Sequence, residues 1–324
     1  MSRATIKSIA KDLGISHMTV SRALSNSPKV QKETRDAVQK RAHELGYVKS
    51  AAALMMRGDA PRILGLLLPN IVNEFYARFA NDMALACDRH ALHLIIHLTN
   101  DDALTQQQSL DRLQEVQATS VVMVPAPESG DRAPPVTGSM NVIELIRQSE
   151  NRERSPAILV EDGPAIRAAV RHLAEAGHRS IAYIGASSSL SSGRARLDAF
   201  RAGASAAGLN VSEDLIQTCV PSFAMGRAQA EAILKAGCAT ALLCGGFELS
   251  NGALSALIEA REDPKTDLAF IGYGDPSFYA WVNEGVSTIR VPVTELALHA
   301  VELAAAPDRT GARQTSFPAE LILR

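Results

Sequence analysis

The stretch Thr5-Ile-Lys-Ser-Ile-Ala-Lys-Asp-Leu-Gly-Ile-Ser-His-Met-Thr-Val-Ser-Arg-Ala-Leu24 decides the fold of the amino-terminal region. Thr5 is a suitable N-cap for a helix over residues 6–13, and Ser16 is one for a second helix over residues 17–25. Gly14 supplies the left-handed residue that ends the first helix. Two short helices joined by a tight turn with glycine form a helix-turn-helix unit, which presents its second helix to the DNA major groove.

The apolar residues of this stretch are spaced to lie on one face of the two helices. The predicted buried seam consists of Ile9, Ala10, Leu13, Val20 and Leu24. The residues left on the outer face are His17, Met18, Ser21 and Arg22. Residues 34–45 are predicted to form a third helix, which ends at Gly46.

The distribution of charge agrees with a head that contacts nucleic acid. Residues 1–60 carry 11 Lys and Arg against 5 Asp and Glu, a net charge of +6. The rest of the chain carries 22 against 30, a net charge of −8. This asymmetry suits phosphate contact at one end of the chain. The alternative is that the head is an ordinary solvated helical cap.

The bulk composition bounds the class of protein. A length of 324 residues favours two or three domains, and 46% hydrophobic residues suffice for globular cores. The cysteines Cys87, Cys219, Cys238 and Cys244 lack metal-ligand spacing and are expected to be reduced thiols. Without a signal-peptide pattern or a membrane-length apolar run, the chain is expected to be cytoplasmic, with no metal, cofactor or membrane partner.

From residue 62 onward, short apolar strands alternate with amphipathic helical stretches. Such alternation predicts a doubly wound α/β architecture with parallel sheets. The predicted strands span 63–68, 93–97, 120–124, 142–145, 157–160, 181–184, 241–244 and 269–272. The predicted helices span 74–89, 105–115, 164–176, 193–207, 226–236, 250–259 and 293–306. Ligands in such sheets bind beyond the carboxyl ends of the strands, so functional residues are expected just after each strand.

No motif in the sequence supports catalysis. Neither GxGxxG nor GxxxxGK[ST] follows a predicted strand. The serine-rich segment 187–192 lacks the GxSxG context of a nucleophile elbow, and we interpret it as a ligand-binding loop. The eight histidines are scattered, with no carboxylate placed for acid–base chemistry. We therefore expect a binding protein and not an enzyme.

The amino-terminal region closely resembles the lactose-repressor (LacI/GalR) family of bacterial transcription regulators. The matching motifs there are Thr5-Ile-Lys7, Thr19-Val-Ser-Arg22, Pro28-Lys-Val30, Leu45-Gly-Tyr47 and Ala51-Ala-Ala53. The rest of the chain is similar to the same family through Leu66-Leu-Leu-Pro69, Asn73-Glu-Phe-Tyr76, Ala176-Gly-His-Arg179, Ile181-Ala-Tyr-Ile-Gly185, Arg196 and Ile271-Gly-Tyr-Gly-Asp275. The resemblance extends over essentially the whole chain.

This resemblance implies the domain organisation. Residues 1–49 would form the helix-turn-helix DNA-binding domain, and residues 50–60 a hinge helix and linker. Residues 61–324 would form an effector-binding and dimerisation domain that resembles periplasmic sugar-binding proteins. Its two doubly wound lobes would close on a small molecule, with the first at about 61–160 plus 290–320 and the second at about 161–289. The chain would cross between the lobes three times.

The resemblance also implies roles for residues of the head. His17, Met18 and Arg22 would meet base edges, and a guanidinium can donate two hydrogen bonds to O6 and N7 of guanine. The residues that would position the head on phosphates are Thr5, Ser16, Thr19, Ser21 and Tyr47. In the linker, the minor groove would receive Ala53 and Met56.

Two departures from the family pattern affect these expectations. Met56 stands where the family carries a leucine that wedges between base pairs, so it either wedges in the same way or packs between paired linkers. Gly246 and Phe247 stand where the family often has an Asn-Asp pair able to bind sugar hydroxyls. A neutral sugar bound in the usual way is therefore disfavoured.

Arg196 aligns with the ligand-contacting arginine of the family, and its guanidinium suits a carboxylate. Asp275 aligns with the ligand-binding aspartate. The alternatives are a surface arginine on a helix and a turn aspartate that caps residues 276–280. The other candidates for the effector site are Phe75, Tyr76, Glu161, Phe223 and Phe247. Segments 142–145 and 222–226 look like the branch that senses gluconate and related sugar acids, so the resemblance implies a sugar acid as effector.

These features predict a homodimeric transcriptional repressor that binds a pseudo-palindromic operator and changes its DNA affinity when the effector binds. No heptad segment follows residues 320–324, so a dimer is expected instead of a tetramer. Two other classes compete with this interpretation: a sugar-binding protein of a transport system, and an α/β enzyme that carries a DNA-binding domain. Corepression, activation and a non-sugar effector are alternatives within the regulator class.

Overall fold

A computed structural model describes residues 4–47, 62–127, 140–149, 155–260, 268–306 and 314–324. The chain divides into two compact units, Met1–Pro61 and Arg62–Arg324. The predicted hinge helix, with Ala53 and Met56, lies outside the described residues and stays a prediction.

The first unit contains three helices, α1 (Ile6–Leu13), α2 (His17–Leu24) and α3 (Lys32–Glu44). Helix α1 begins with a capping box, in which the Thr5 hydroxyl accepts from the Ser8 amide at 3.1 Å and the Ser8 hydroxyl accepts from the Thr5 amide at 2.9 Å. Gly14 ends it at a φ of 65°. The Ser16 hydroxyl caps α2 by accepting from the Thr19 amide. Both predicted caps and the predicted turn are confirmed.

A small apolar core holds the three helices together. Its fully buried members include Ile9, Val20 and Val38, one from each helix. The Arg41 guanidinium binds the Asp12 carboxylate at 2.6 Å, and this ion pair joins α3 to α1. Leu13 and Leu24 of the predicted seam are half-buried at the edge of this core, and Ala23, which was not predicted, is buried within it.

The second unit contains two six-stranded sheets. The sheet of the first lobe has the order β11-β5-β4-β3-β1-β2. Its strands are β1 (Arg62–Leu68), β2 (Leu92–Leu98), β3 (Ser120–Met123), β4 (Asn141–Leu145), β5 (Ala157–Glu161) and β11 (Gln314–Pro318). All of its paired strands are parallel. The helices that pack on it are α4 (Glu74–Arg89), α5 (Ala103–Glu115) and α10 (Val293–Ala305).

The sheet of the second lobe has the order β12-β10-β9-β8-β6-β7. Its strands are β6 (Ile181–Ala186), β7 (Ile216–Cys219), β8 (Ala241–Gly245), β9 (Ala269–Tyr273), β10 (Thr288–Arg290) and β12 (Glu320–Ile322). Its strands are parallel except for the pair β10 and β12. The helices of this lobe are α6 (Gly163–Glu175), α7 (Ser191–Ala206), α8 (Phe223–Ala236) and α9 (Phe247–Ala260).

The predicted α/β class with parallel sheets is confirmed, and seven of the eight predicted strands lie within one residue of an observed strand at both ends, whereas β6 continues two residues beyond the predicted end at 184. Four further strands, β7, β10, β11 and β12, were not predicted. Each is three to five residues long, and partly exposed side chains interrupt its apolar pattern, so it lacks the continuous apolar run of the central strands. Helix α8 begins three residues before the predicted start because the Ser222 hydroxyl caps it.

The chain passes between the two lobes at three places. These are the junctions of β5 with α6, of β10 with α10, and of β11 with β12. The last crossing consists of Ala319 alone, whose amide donates to the carbonyl oxygen of Glu161 in the first crossing. Among the described residues, no helix combines the length and apolar character needed to cross a lipid bilayer.

Helices α8 and α9 of the second lobe pack with their backbones in contact. A Cβ atom added to Gly252 on α9 would lie 2.0 Å from the carbonyl oxygen of Phe223 and 2.7 Å from the amide nitrogen of Arg227, both on α8. Because these are backbone atoms, no side-chain rotation relieves the clash. The residue at this position must therefore be glycine for the helices to pack as they do.

We expect Gly252→Ala to lower the free energy of unfolding by about 1–3 kcal/mol, because the added methyl group forces α9 away from α8. The midpoint of urea unfolding measures the change. Gly246→Ala is the matched control, since its Cβ would meet nothing closer than Leu249 Cδ1 at 3.4 Å. Equal unfolding midpoints for the two variants would show that the helices do not pack this closely.

Candidate functional site

The outer face of α2 carries the side chains predicted to read DNA. His17, Met18 and Arg22 are exposed, and Ser21 is partly exposed. Met18 is an apolar side chain with 51% of its surface accessible, on a helix whose other face is buried. The face therefore offers two titratable or charged groups and one apolar group to a ligand. Base contact by these residues stays a prediction.

Two of the predicted phosphate contacts, Thr5 and Ser16, lie at the starts of helices of the head. Thr5 and Ser16 are N-caps, and their hydroxyl oxygens accept from backbone amides. The Ser16 and Thr19 hydroxyls are 2.9 Å apart. Amide groups at a helix N-terminus carry partial positive charge, which suits phosphate oxygens. Tyr47 is half-buried against the head core, and its amide donates to the Ala42 carbonyl oxygen.

A cleft of about 530 Å³, counted with the solvent at its mouth, lies between the two lobes of the second unit. Residues from both lobes line it. The first lobe contributes Phe75, Tyr76 and Arg147, and the second contributes Arg196 and Phe247. The cleft thus combines two guanidinium groups with an aromatic wall.

Arg196 lies at the floor of the cleft in a buried polar cluster. Its Nε donates to Oδ2 of Asp162 at 2.5 Å, and its Nη1 donates to the Gly245 carbonyl oxygen at 3.2 Å. The Tyr273 hydroxyl donates to the same Asp162 oxygen at 2.7 Å, and Arg196 Cζ lies 4.3 Å from the centroid of the Tyr273 ring. Only 8% of Arg196 is exposed, which excludes the alternative of a surface arginine.

Burial lowers the pKa of the Arg196 guanidinium, but Tyr273 and the Asp162 carboxylate raise it by more, so the pKa lies above its ordinary value. The group is therefore a permanent cation. Its Nη2 has no hydrogen-bond acceptor among the described residues. Arg196 can thus donate to a ligand while it holds Asp162.

Arg147 is the corresponding group of the first lobe. It follows β4 and is 5% exposed. Its Nη1 donates to Oδ1 of Asp101 at 2.6 Å and to the Pro125 carbonyl oxygen at 3.2 Å. The ion pair holds the guanidinium at the cleft wall.

The aromatic wall crosses from one lobe to the other. The Phe247 ring lies 5.3 Å from Phe75 of the first lobe and 5.7 Å from Tyr273 of the second. Glu248 also lines the cleft, and burial raises the pKa of its carboxyl group. An acceptor-bearing ligand would therefore meet two arginines, aromatic faces and one carboxylate.

Three predicted effector residues are not among those that line the cleft. Glu161 is exposed at the end of β5, and Phe223 is 44% exposed at the start of α8. Asp275 follows β9 at a φ of 54°, and its carboxylate lies 2.7 Å from Nη1 of Arg324. This left-handed turn aims Asp275 at Arg324 and gives it no side-chain cap on residues 276–280. The structure brings together Phe75, Tyr76, Arg196 and Phe247 only.

The residues that were not predicted are Asp162 and Tyr273, which contact Arg196, and Arg147, which lines the cleft. Asp162 follows the last residue of β5, at a position where functional residues are expected, and is the N-cap residue of α6. Arg147 lies two residues after β4, at the carboxyl end where ligands bind in parallel sheets. That position was the available signal for it. Within the described ranges, no cluster of three His, Cys, Asp or Glu side chains is arranged to hold a metal ion.

Comparison with protein-family models gives two matches. Residues 5–50 match the model of bacterial regulatory proteins of the lacI family. Residues 170–324 match the model of a periplasmic binding protein-like domain. The first range contains the helix-turn-helix, and the second contains Arg196 and most of the second lobe.

Curated relatives extend the similarity over nearly the whole chain. The HTH-type transcriptional regulator GalR of Escherichia coli is 26% identical over 94% of this chain and 89% of its own length. The HTH-type transcriptional regulator DegA of Bacillus subtilis is 24% identical over 99% of this chain and 97% of its own. These relatives are transcriptional regulators and not enzymes.

Solved structures share the fold. The lac repressor dimer bound to operator and the anti-inducer ONPF has a TM-score of 0.82 at 18% identity, over 100% of this chain and 98% of that one. A complex of the transcriptional regulator CelR with cellobiose has a TM-score of 0.70 at 19% identity, over 99% of each chain.

We expect Asp162→Ala to lower the free energy of unfolding by about 3–5 kcal/mol, because it leaves the Arg196 guanidinium buried without its carboxylate. Thermal unfolding measures the loss. Asp198→Ala, at an exposed position of the same lobe, should change stability by no more than about 0.5 kcal/mol. If the two variants unfold at the same temperature, the Arg196 charge is not held in the way the structure shows.

Proposed function

We propose that this chain, which matches the models of the lacI-family regulatory proteins and of a periplasmic binding protein-like domain, is a DNA-binding repressor whose affinity for its operator is controlled by a sugar acid. The observation that carries the proposal is the pairing, in one chain, of an exposed helix-turn-helix face with a cleft that contains a buried arginine able to bind a ligand. Gluconate or a related hexonate is the effector class that we propose.

In this proposal, α2 enters the major groove of the operator. Arg22 donates to O6 and N7 of a guanine, while His17 and Met18 contact neighbouring base edges. The hydroxyls and amides at the starts of α1 and α2, with Tyr47, bind phosphates and set the register of the head. The net charge of +6 over residues 1–60 supports this orientation of the chain toward DNA.

The protein acts as a homodimer, so that two heads read the two halves of a pseudo-palindromic site. The lac repressor, which shares the fold, is a dimer on its operator. The linker segments, with Ala53 and Met56, then enter the minor groove between the half-sites, where Met56 wedges between base pairs. The effector domain serves regulation and not transport or catalysis.

The effector binds in the cleft between the lobes. Arg196 donates to its carboxylate, and Phe75, Tyr76 and Phe247 pack against its carbon skeleton. The transcriptional regulator CelR, in complex with cellobiose, supports a carbohydrate-type ligand for this fold. Closure of the lobes on the effector alters the dimer interface and the linkers, and the coupling free energy between the two sites is typically about 1–3 kcal/mol.

Selection from genomic fragments tests this function. The full chain should enrich a pseudo-palindromic duplex over random DNA, and a panel of hexonates should change its affinity for that duplex about fivefold or more. A chain that prefers no genomic fragment, with or without hexonates, would contradict the proposal.

We expect Arg22→Ala to weaken operator binding by about 1–3 kcal/mol and to relax the preference at one base position. Fluorescence anisotropy with single-base operator variants measures both effects. Lys40→Ala is the control, since Lys40 is an exposed cation on α3 whose loss removes the same charge. Retained specificity in Arg22→Ala would rule out base reading by this residue.

We expect Arg196→Ala to abolish the response of operator affinity to the effector and to leave the affinity itself largely intact. The variant is made together with Asp162→Asn, so that no unpaired charge stays buried. The readout is operator binding with and without the hexonate. A double variant that still responds like the parent would show that the effector binds elsewhere.

A further inference from the structure

We propose that Arg147 is a second effector-binding residue, and that the anionic group of the effector lies between Arg147 of the first lobe and Arg196 of the second. The inference rests on the proposed effector site and adds to it a chemical requirement. The effector carries one oxyanion, a carboxylate or a phosphate ester, that bridges the lobes, and hydroxyl groups over the rest of its length.

Both guanidinium groups retain donors for such a bridge. Nη1 of Arg147 donates to Asp101 and to the Pro125 carbonyl oxygen, and Nη2 lies 3.4 Å from Asp101. Nε of Arg147 has no acceptor among the described residues. The same is true of Nη2 of Arg196. Each arginine is already held by an aspartate of its own, which fixes its position before a ligand arrives. Charge-assisted hydrogen bonds from a preorganised guanidinium to an oxyanion are among the stronger contacts in proteins.

The backbone around Arg147 is strained. Ile146 has a φ of 53°, although it is β-branched, and the Arg147 amide donates to the Leu145 carbonyl oxygen at 2.6 Å across it. The segment that carries Asp101 also adopts the left-handed region, since Asn100 and Asp101 have φ values of 53° and 56°. Residues in this region of φ and ψ cost free energy and concentrate where a ligand is bound. The strain places Arg147 at the cleft wall instead of at the surface.

The two arginines act on each other across the cleft. Burial lowers the pKa of Arg147, but Tyr76 and Asp101 raise it by more, so this pKa lies above its ordinary value. The positive charge of Arg196 acts in the opposite direction to Tyr76 and Asp101. The two guanidinium charges therefore repel each other across the cleft. An oxyanion between them reduces that repulsion, whereas a neutral sugar of the same shape does not. The anion is thus the part of the effector that these two arginines favour.

Glu248 limits the effector to one negative charge. Its carboxyl group lines the same cleft and is partly buried there, which raises its pKa. A second anionic group beside Glu248 would meet a like charge in a partly buried site. Hydroxyl groups, which can donate to Glu248, suit the space beside it. The cleft therefore favours a hexonate over the corresponding diacid.

Calorimetric titration of the full chain tests the inference, with hexonates, the corresponding aldarates, hexose phosphates and neutral hexoses as probes. We expect Arg147→Gln to weaken binding of the anionic probe at least tenfold. Arg171→Gln, at an exposed position of α6, should bind as the parent does. The probe that binds identifies the oxyanion as carboxylate or phosphate, and a hexose phosphate would overturn only the sugar-acid part of the proposed function.

Asp101→Asn separates ligand contact from a structural role. It removes the carboxylate that competes for Arg147, so the anion should bind about threefold or more tightly if it meets this arginine. A structural role predicts weaker binding, as in Arg147→Gln. The double variant Arg147→Gln/Asp101→Asn leaves no unpaired charge, and its retained operator binding verifies that the chain is folded.

Equal anion affinity in the parent and Arg147→Gln, or weaker binding in Asp101→Asn, would overturn the inference while the proposed function stands. Tighter binding of the aldarate than of the hexonate would also overturn it. If no anionic probe binds the parent, both the bridge and the proposed effector class fail, whereas selection of an operator would still support DNA binding.

Discussion

The ion pair between Arg196 and Asp162 is the interaction on which the floor of the cleft between the lobes depends. A buried ion pair is stable only if other groups satisfy its remaining hydrogen-bond donors and acceptors. Here the Tyr273 hydroxyl donates to Asp162, and the Gly245 carbonyl oxygen accepts from Arg196. All of these groups belong to the second lobe or to the segment that enters it. The floor of the cleft is therefore formed before a ligand binds, and the first lobe supplies the groups that line the cleft on its other side.

Local sequence rules predicted the elements whose residues interact with near neighbours. The caps Thr5 and Ser16, the turn at Gly14 and the central strands were all found because the signal lies within a few residues. The short edge strands depend on pairing with distant segments, as β11 does with β5, and no local pattern indicates them. Their existence is a consequence of the tertiary fold.

The residues of the cleft also differ in whether the sequence near them gives a signal. Arg196 could be predicted because it aligns with a family position, and Phe247 because it comes just after the buried strand β8 and begins α9. Glu161 and Asp162 are neighbours in the sequence, and the turn from β5 into α6 decides which of them is buried. Asp275 is directed away by Arg324, a residue 49 positions later in the chain. A contact between residues so far apart in the sequence leaves no local sequence pattern.

The single-residue crossing at Ala319 restricts the movement available to the lobes. The Ala319 amide donates to the carbonyl oxygen of Glu161 in another crossing, so this hydrogen bond joins two of the three crossings between the lobes into a pivot. A pivot of this kind resists sliding of one lobe along the other and leaves rotation about a fixed axis as the soft mode. Displacement then grows with distance from the axis, so a change of a few tenths of an ångström near the crossings becomes a much larger one at the far edges of the lobes.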